Sequence, residues 1–349
     1  MAFNEDTRVK IPAILHFCRL GYNYISLKES KWDENTNIFT DIFYESIRKI
    51  NIEIEDEQIK KKLEKINLAL DNEDLGKAFY QMLTSSSGTK LIDFQNFENN
   101  TFNVVTELTC KNGDDEFRPD ITLLINGMPL AFIEVKKPNN KEGILAERNR
   151  INVRFKNKKF RKFINISQIL VFSNNMEYDP ESISQIQGAF YSSSSYNKAN
   201  FNAFREDKKV EKLDLSKILK KEDEEVENFI LKDNNLSAIK HSPEFVSNKE
   251  IDTPTNRIIA SLFSRDRLAM LLQYCIAYVK ESHGLEKHIM RYQQFFATKA
   301  IKQTIDKDIK KGIIWHTQGS GKTALAFYNV NYLTDYFQKK KIIPSFTLL

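Results

Sequence analysis

The sequence predicts an α/β protein: a mixed sheet flanked by helices, followed by the opening of a second α/β unit. Three observations carry that prediction. Short β-rich runs cluster at 102–110, 121–125, 130–135 and 169–173, each bounded by turn residues. Stretches with apolar residues at helical spacing lie on both sides of them. Near residue 320 a glycine-rich loop joins a short apolar run to a helix.

The chain has 349 residues, too many for one ordinary core, so two domains are expected: 1–250, with 205–250 as a charged connector, and 251–349. Hydrophobic residues make up 41% and charged residues 28%, the balance of a soluble globular protein. The net charge of +5, from 52 basic and 47 acidic residues, permits nucleic-acid binding without demanding it. Cys18, Cys110 and Cys275 are few and far apart, which argues against a disulfide framework or a zinc site and for a reducing, cytoplasmic location. The apolar run at 11–20 is short and holds His16 and Arg19, so neither a signal peptide nor a membrane span is expected.

In chain order, 38–50 and 57–83 read as helix, with Gly76 an irregularity in the second. The β-rich runs follow. The basic stretch 147–163 reads as a helix able to hold phosphates. Residues 205–250 mix charges densely and read as a solvated connector. Residues 258–279 show long helical periodicity, 312–315 reads as a strand and 324–337 as a helix.

Chemistry concentrates in two places. The first is RPDITLLINGMPLAFIEVKKP, Arg118 to Pro138. Asn126-Gly127 marks a hairpin turn. Glu134 and Lys136 share one strand face, because side chains alternate. With a two-residue loop at Gly127-Met128, Asp120 would point away from Glu134. A three-residue loop or a bulge would bring them together, and the chemistry requires that arrangement. Two carboxylates on one face repel unless a cation lies between them. Hard oxygen ligands suit Mg²⁺, and a lysine alongside can orient water or neutralise developing charge at a phosphodiester.

The second place is His316 followed by Thr317, Gln318, Gly319, Ser320, Gly321, Lys322 and Thr323, a phosphate loop between strand and helix. Its backbone N–H groups and the helix N-terminus would cradle phosphate. Lys322 would reach the β- and γ-phosphates of ATP, and Thr323 would ligate its Mg²⁺. Upstream, Arg291, Tyr292 and a glutamine suggest a motif that reads adenine; the spacing leaves Gln293 and Gln294 both open.

The hairpin, with its RPD entry and Glu-x-Lys exit, resembles the PD-(D/E)xK nuclease superfamily. That resemblance implies that Asp120 and Glu134 bind the metal with the Val135 carbonyl, and that Lys136 assists catalysis. Relatives with attached motors carry Gln-x-x-x-Tyr on the next helix, where this chain has Arg150, Arg154 and Phe155. The order of the two sites, together with RYQQFFA and WHTQGSGKT, resembles the restriction (R) subunit of type I restriction enzymes; the family pattern favours Gln294 at the base. The resemblance implies an endonuclease and ATP-dependent translocase that cuts unmethylated foreign double-stranded DNA, alongside modification (M) and specificity (S) subunits. It implies a superfamily 2 motor with RecA-like domains, the first beginning near 251. On this reading the chain is the front part of a longer protein, and the Walker B acid has no place after Pro344. Three other readings stand beside it: a nuclease–helicase of another defence or repair system, a catalytically silent ATP- or DNA-binding fragment, and a P-loop NTPase unrelated to DNA.

Overall fold

The computed structural model describes residues 5–138, 143–181, 187–282, 284–315, 317 and 319–347. The strands are β1 (Asn23–Tyr24), β2 (Phe102–Thr106), β3 (Cys110–Asn112), β4 (Asp115–Phe117), β5 (Ile121–Ile125), β6 (Met128–Val135), β7 (Ile169–Ser173), β8 (Ala189–Ser192), β9 (Asn202–Ala203), β10 (Ile276–Glu281) and β11 (Gly284–Ile289). One mixed seven-stranded sheet runs in the order β1-β2-β5-β6-β7-β8-β9, with β3-β4 and β10-β11 as separate hairpins. β1 is parallel to β2 and β6 to β7; the other neighbours in the large sheet are antiparallel.

The helices are α1 (Ile11–Arg19), α2 (Thr40–Ile50), α3 (Asp56–Leu70), α4 (Lys77–Thr84), α5 (Gly143–Lys156), α6 (Arg161–Ile166), α7 (Leu215–Ile218), α8 (Glu224–Asp233), α9 (Pro243–Asn248), α10 (Pro254–Phe263), α11 (Arg265–Tyr274), α12 (Tyr292–Asp306) and α13 (Lys322–Lys339). No helix among the described residues is long and apolar enough to cross a membrane.

β2, β5, β6 and β7 are buried along their whole length, which is why they read as nearly continuous apolar runs. Both sheet faces are covered. On one face Ile121, Leu123, Ile133, Val135 and Val171 join a core that includes Phe17 of α1, Phe43 of α2 and Phe263 of α10. On the other, Leu124, Phe132 and Leu170 pack with Ile151 and Phe155 of α5 and Phe163 of α6. Each such fully buried side chain contributes about 1.5–3 kcal/mol relative to leaving it exposed.

Several sequence expectations change. Residues 57–83 are two helices, ending at Leu70 and restarting at Lys77. Gly76 has φ +80°, and a Cβ there would lie 2.1 Å from the Asn165 carbonyl oxygen, so the glycine permits a close backbone approach. The basic stretch divides at Asn157, whose side chain accepts from the Lys159 N–H and caps a 3₁₀ turn between α5 and α6. Residues 258–279 are not one helix. α10 and α11 meet at Ser264, in extended backbone, and Ile276 begins β10. The β-branched and aromatic residues Ile276, Tyr278 and Val279 pair with β11 and take the strand state there.

The 205–250 stretch is more structured than a solvated connector. Ile230, Leu231 and Phe245 are buried. Glu206 and Glu211 bind the buried guanidinium of Arg267 at 2.6 and 3.2 Å. The apolar core passes across residue 250, since Ile259, Phe263 and Leu271 share one cluster with Phe17 and Val104. At 312–315 no strand is present among the described residues, and Ile313 and Trp315 are 91% and 90% exposed.

Candidate active site

The β5–β6 hairpin sets the first site. Its tip is Asn126-Gly127, with φ of +51° and +76°, the mirror-image turn that matches strand twist. Ile125 pairs with Met128 across it. The turn is locked from outside. Asn126 Nδ2 donates to the Leu91 carbonyl at 2.9 Å and to Asn100 Oδ1 at 2.8 Å. A Cβ at Gly127 would come within 2.6 Å of the Phe39 carbonyl oxygen.

Further along, the register shifts. Leu124 pairs with Pro129 but Leu123 pairs with Ala131, so Leu130 is the extra residue of a β-bulge. The bulge has a large consequence. Met128 and Leu130 face the core that holds Phe17; after the bulge it is Ala131, Ile133 and Val135 that do so. Phe132, and Glu134 with it, turn to the α5 face. Because Ile121 pairs with Ile133, Asp120 falls opposite Glu134 on that face. The sequence offered a bulge or an odd loop for this purpose, and the bulge is the device used.

Asp120, Glu134 and Lys136 thus come together. Asp120 Oδ2 accepts from the Val135 N–H at 2.8 Å. Lys136 Nζ donates to the Val135 carbonyl at 2.8 Å and lies 3.7 Å from Asp120 Oδ2 and 3.9 Å from Glu134 Oε2. Three further groups were not singled out for catalysis in the sequence. Glu5, six residues before α1, places Oε1 3.8 Å from Lys136 Nζ. Arg154 of α5 donates Nη1 to Glu134 Oε1 at 2.9 Å and lies over the Phe117 ring at 4.4 Å. Glu147 of α5 is buried and accepts from Arg150 Nη1 at 3.2 Å. Glu147, Arg150 and Arg154 stand at i, i+3 and i+7, a spacing that marks one helix face. For Glu5 the sequence carries no comparable signal.

The electrostatics follow from this crowding. Glu134 is 3% exposed, and burial, reinforced by the Asp120 charge, raises its carboxyl well above the usual range; Arg154 and Lys136 pull the other way. Burial works against the charge on Lys136, but Asp120, Glu134, Glu147 and Glu5 outweigh it and raise its pKa. Burial also raises Glu5, opposed by Lys136. Among the described residues no group of three or more His, Cys, Asp and Glu side chains is placed to hold a metal ion. The available donors are two carboxylates and the Val135 carbonyl, hard oxygens of the kind Mg²⁺ takes together with water and phosphate oxygens.

The second site differs. Gly319 and Gly321 both have positive φ, and Gly321 opens α13. Gln294 is buried and Gln293 exposed, so the former faces the loop. Its Oε1 accepts from the Arg291 N–H at 2.9 Å, and its Nε2 donates to the Gly321 and Ser320 carbonyls at 3.0 and 3.4 Å. Arg291 Nη2 donates to the Gly319 carbonyl at 3.2 Å. These side chains are engaged with the loop itself. Tyr292 packs on Phe204, with ring centroids 6.4 Å apart. Lys322 Nζ donates to the Thr317 carbonyl at 3.1 Å, and Thr323 is exposed. His316 and Gln318 lie outside the described residues.

Residues 2–179, just over half of the chain, match the family described as type I restriction enzyme R protein N terminus. The chain belongs to this family. Residues 293–344 match the SWI2/SNF2 ATPase family, over the segment that carries the phosphate loop. The chain is 27% identical over 364 residues to the type I restriction enzyme MjaIXP endonuclease subunit of Methanocaldococcus jannaschii, covering 93% of this chain and 31% of that protein. It is 28% identical over 266 residues to the MjaVIIP endonuclease subunit of the same organism, covering 73% and 20%. To the HindI endonuclease subunit of Haemophilus influenzae it is 23% identical over 329 residues, covering 86% and 26%. It therefore spans between a fifth and a third of the length of these relatives.

Proposed function

We propose that this R-protein chain carries the DNA-cutting site of a type I restriction enzyme, acting on unmethylated foreign double-stranded DNA. One observation carries the reading most: the Leu130 bulge sets Asp120 opposite Glu134, with Lys136 within 4 Å of both. Asp120, Glu134 and the Val135 carbonyl would hold Mg²⁺, which supplies Lewis-acid stabilisation of phosphate charge and lowers the pKa of water. Asp120 is oriented by the Val135 N–H. Arg154 orients Glu134 and shares its charge. The Lys136 ammonium, kept protonated by its carboxylate neighbours, would stand where negative charge grows on the scissile phosphate.

On this reading ATP would bind at Gly319–Thr323 and drive translocation in the whole protein, with modification and specificity subunits supplying recognition. The division into a cutting part, 1–250, and the start of a RecA-like motor part, 251–349, belongs to the same proposal. The test is plasmid cleavage by the assembled enzyme: Glu134→Ala and Lys136→Ala should each abolish linearisation while ATP hydrolysis continues. Linearisation at the unsubstituted rate by either variant would overturn the assignment.

A further inference from the structure

A cavity of about 500 Å³ opens on the same sheet face as Glu134. Glu134 pairs with Phe172 on β7, and Phe172 pairs with Phe190 on β8. Directly paired residues share a face, so Phe190 lies two strand spacings, about 10 Å, from Glu134 across that face. Phe190 lines the cavity, with Tyr178 and Phe201. The rings are set in place. Tyr178 meets Phe190 edge-on at 5.0 Å, and Phe201 meets Phe172 at 6.2 Å. Gly188, at φ +145°, permits the first contact, since a Cβ there would fall 2.9 Å from Tyr178 Cβ.

The charged lining is mainly cationic. Arg148 of α5, Lys198 and Arg291 all contribute to the wall. The Arg148 Nε is buried and has no acceptor among the described residues. The carboxylate of Glu286, also in the wall, accepts from Asn197 Nδ2 at 2.7 Å and from Ser195 Oγ at 3.2 Å. A concave site of this volume suits a small organic unit. Phosphate contact alone would need the cations but not three aromatic rings in the wall. A paired base, stacked inside a duplex, does not offer its face to rings in a cavity wall, whereas an unpaired base does.

We propose that this cavity takes an unpaired nucleotide of the DNA strand being cut, its base against Tyr178, Phe190 and Phe201 and its phosphate on Arg148 and Lys198. The inference rests on the nuclease reading for its choice of strand, but its test does not use cleavage. The 349-residue chain is titrated with fluorescent oligo(dT) and with a blunt duplex of equal length. Phe201→Ala should weaken oligo(dT) binding about ten-fold and leave blunt-duplex binding within about two-fold. Arg148→Gln with Lys198→Gln should weaken oligo(dT) and flatten the slope of log K against log salt by about 1.4. A single strand carrying 5-iododeoxyuridine should photocrosslink to Tyr178, Phe190 or Phe201.

Unchanged oligo(dT) affinity in both variants, an equal loss on blunt duplex, displacement by dTMP as effective as by the strand, or crosslinks only elsewhere would each overturn the proposal. Glu134→Ala, measured in parallel, should leave oligo(dT) binding intact while abolishing cleavage in the assembled enzyme. Failure of the nuclease reading and failure of this one are thereby separate results.

Discussion

Two lysines, Lys136 and Lys322, each rest their ammonium on a nearby backbone carbonyl, at 2.8 Å and 3.1 Å, yet they sit in opposite surroundings. Around Lys136 three carboxylates converge, from Glu5 ahead of α1, the start of β5 and the end of β6. These positions are fixed by a sheet covered on both faces. Around Lys322 the loop leans on α12 through Arg291 and Gln294, while Ile313 and Trp315 just before it are exposed. A site built from sheet register is organised before any ligand arrives. A site built from a loop spends its polar side chains on its own carbonyls and has to exchange those bonds when a ligand comes.

The largest expected effect breaks the first site alone. In the assembled enzyme, Lys136→Ala should reduce plasmid cleavage by at least about 100-fold, the cost typical of losing one stabilising donor, with ATP hydrolysis unaffected. Lys322→Ala is the mirror experiment. Phosphate release in the assembled enzyme should fall to background, and cleavage with it if translocation precedes cutting.

A glycine pair sharpens the structural side of the contrast. Gly127→Ala forces a Cβ against the Phe39 and Phe43 backbone at φ +76°, and should destabilise the chain by about 2 kcal/mol or more in urea unfolding. Gly319→Ala has a similar φ of +77°, but nothing lies within 4 Å of its Cβ. It should cost only the left-handed backbone penalty, about 1–2 kcal/mol, with no clash added.

The smallest effect concerns Lys287, fully buried on β11, where burial pulls the ammonium down to about 7, opposed by Asp74. Its Nζ donates to the Ser167 carbonyl at 3.1 Å. Between pH 7 and the ordinary lysine range the unfolded chain holds more protons on this residue than the folded one, so its contribution to stability rises with pH across that window. Lys287→Met should remove that rise and stabilise the chain at pH 7, read from urea midpoints at pH 7 and pH 9.

Several features are determined by the sequence alone because they depend on near neighbours. Asn126-Gly127 dictates its turn through backbone sterics, and GSGKT dictates a helix-opening loop through its glycines. Apolar runs announce the buried strands of the sheet. The pairing of Asp120 with Glu134 needed one more fact, the extra residue at Leu130, and no local propensity in LLINGMPLAF marks that residue as the bulge. Packing decided it, because Ala131, Ile133 and Val135 all bury against the helices on the opposite face. Gly76 could be understood only once Asn165 was in place beside it, and Ile276–Val279 became a strand only through its pairing with β11. The carboxylates and guanidinium that complete the site come from Glu5, Glu147 and Arg154, brought to one point by the sheet and α5. Short-range chemistry is written in consecutive residues. The charge balance of a site is a sum over groups distant in the chain, and only the tertiary fold sets those distances.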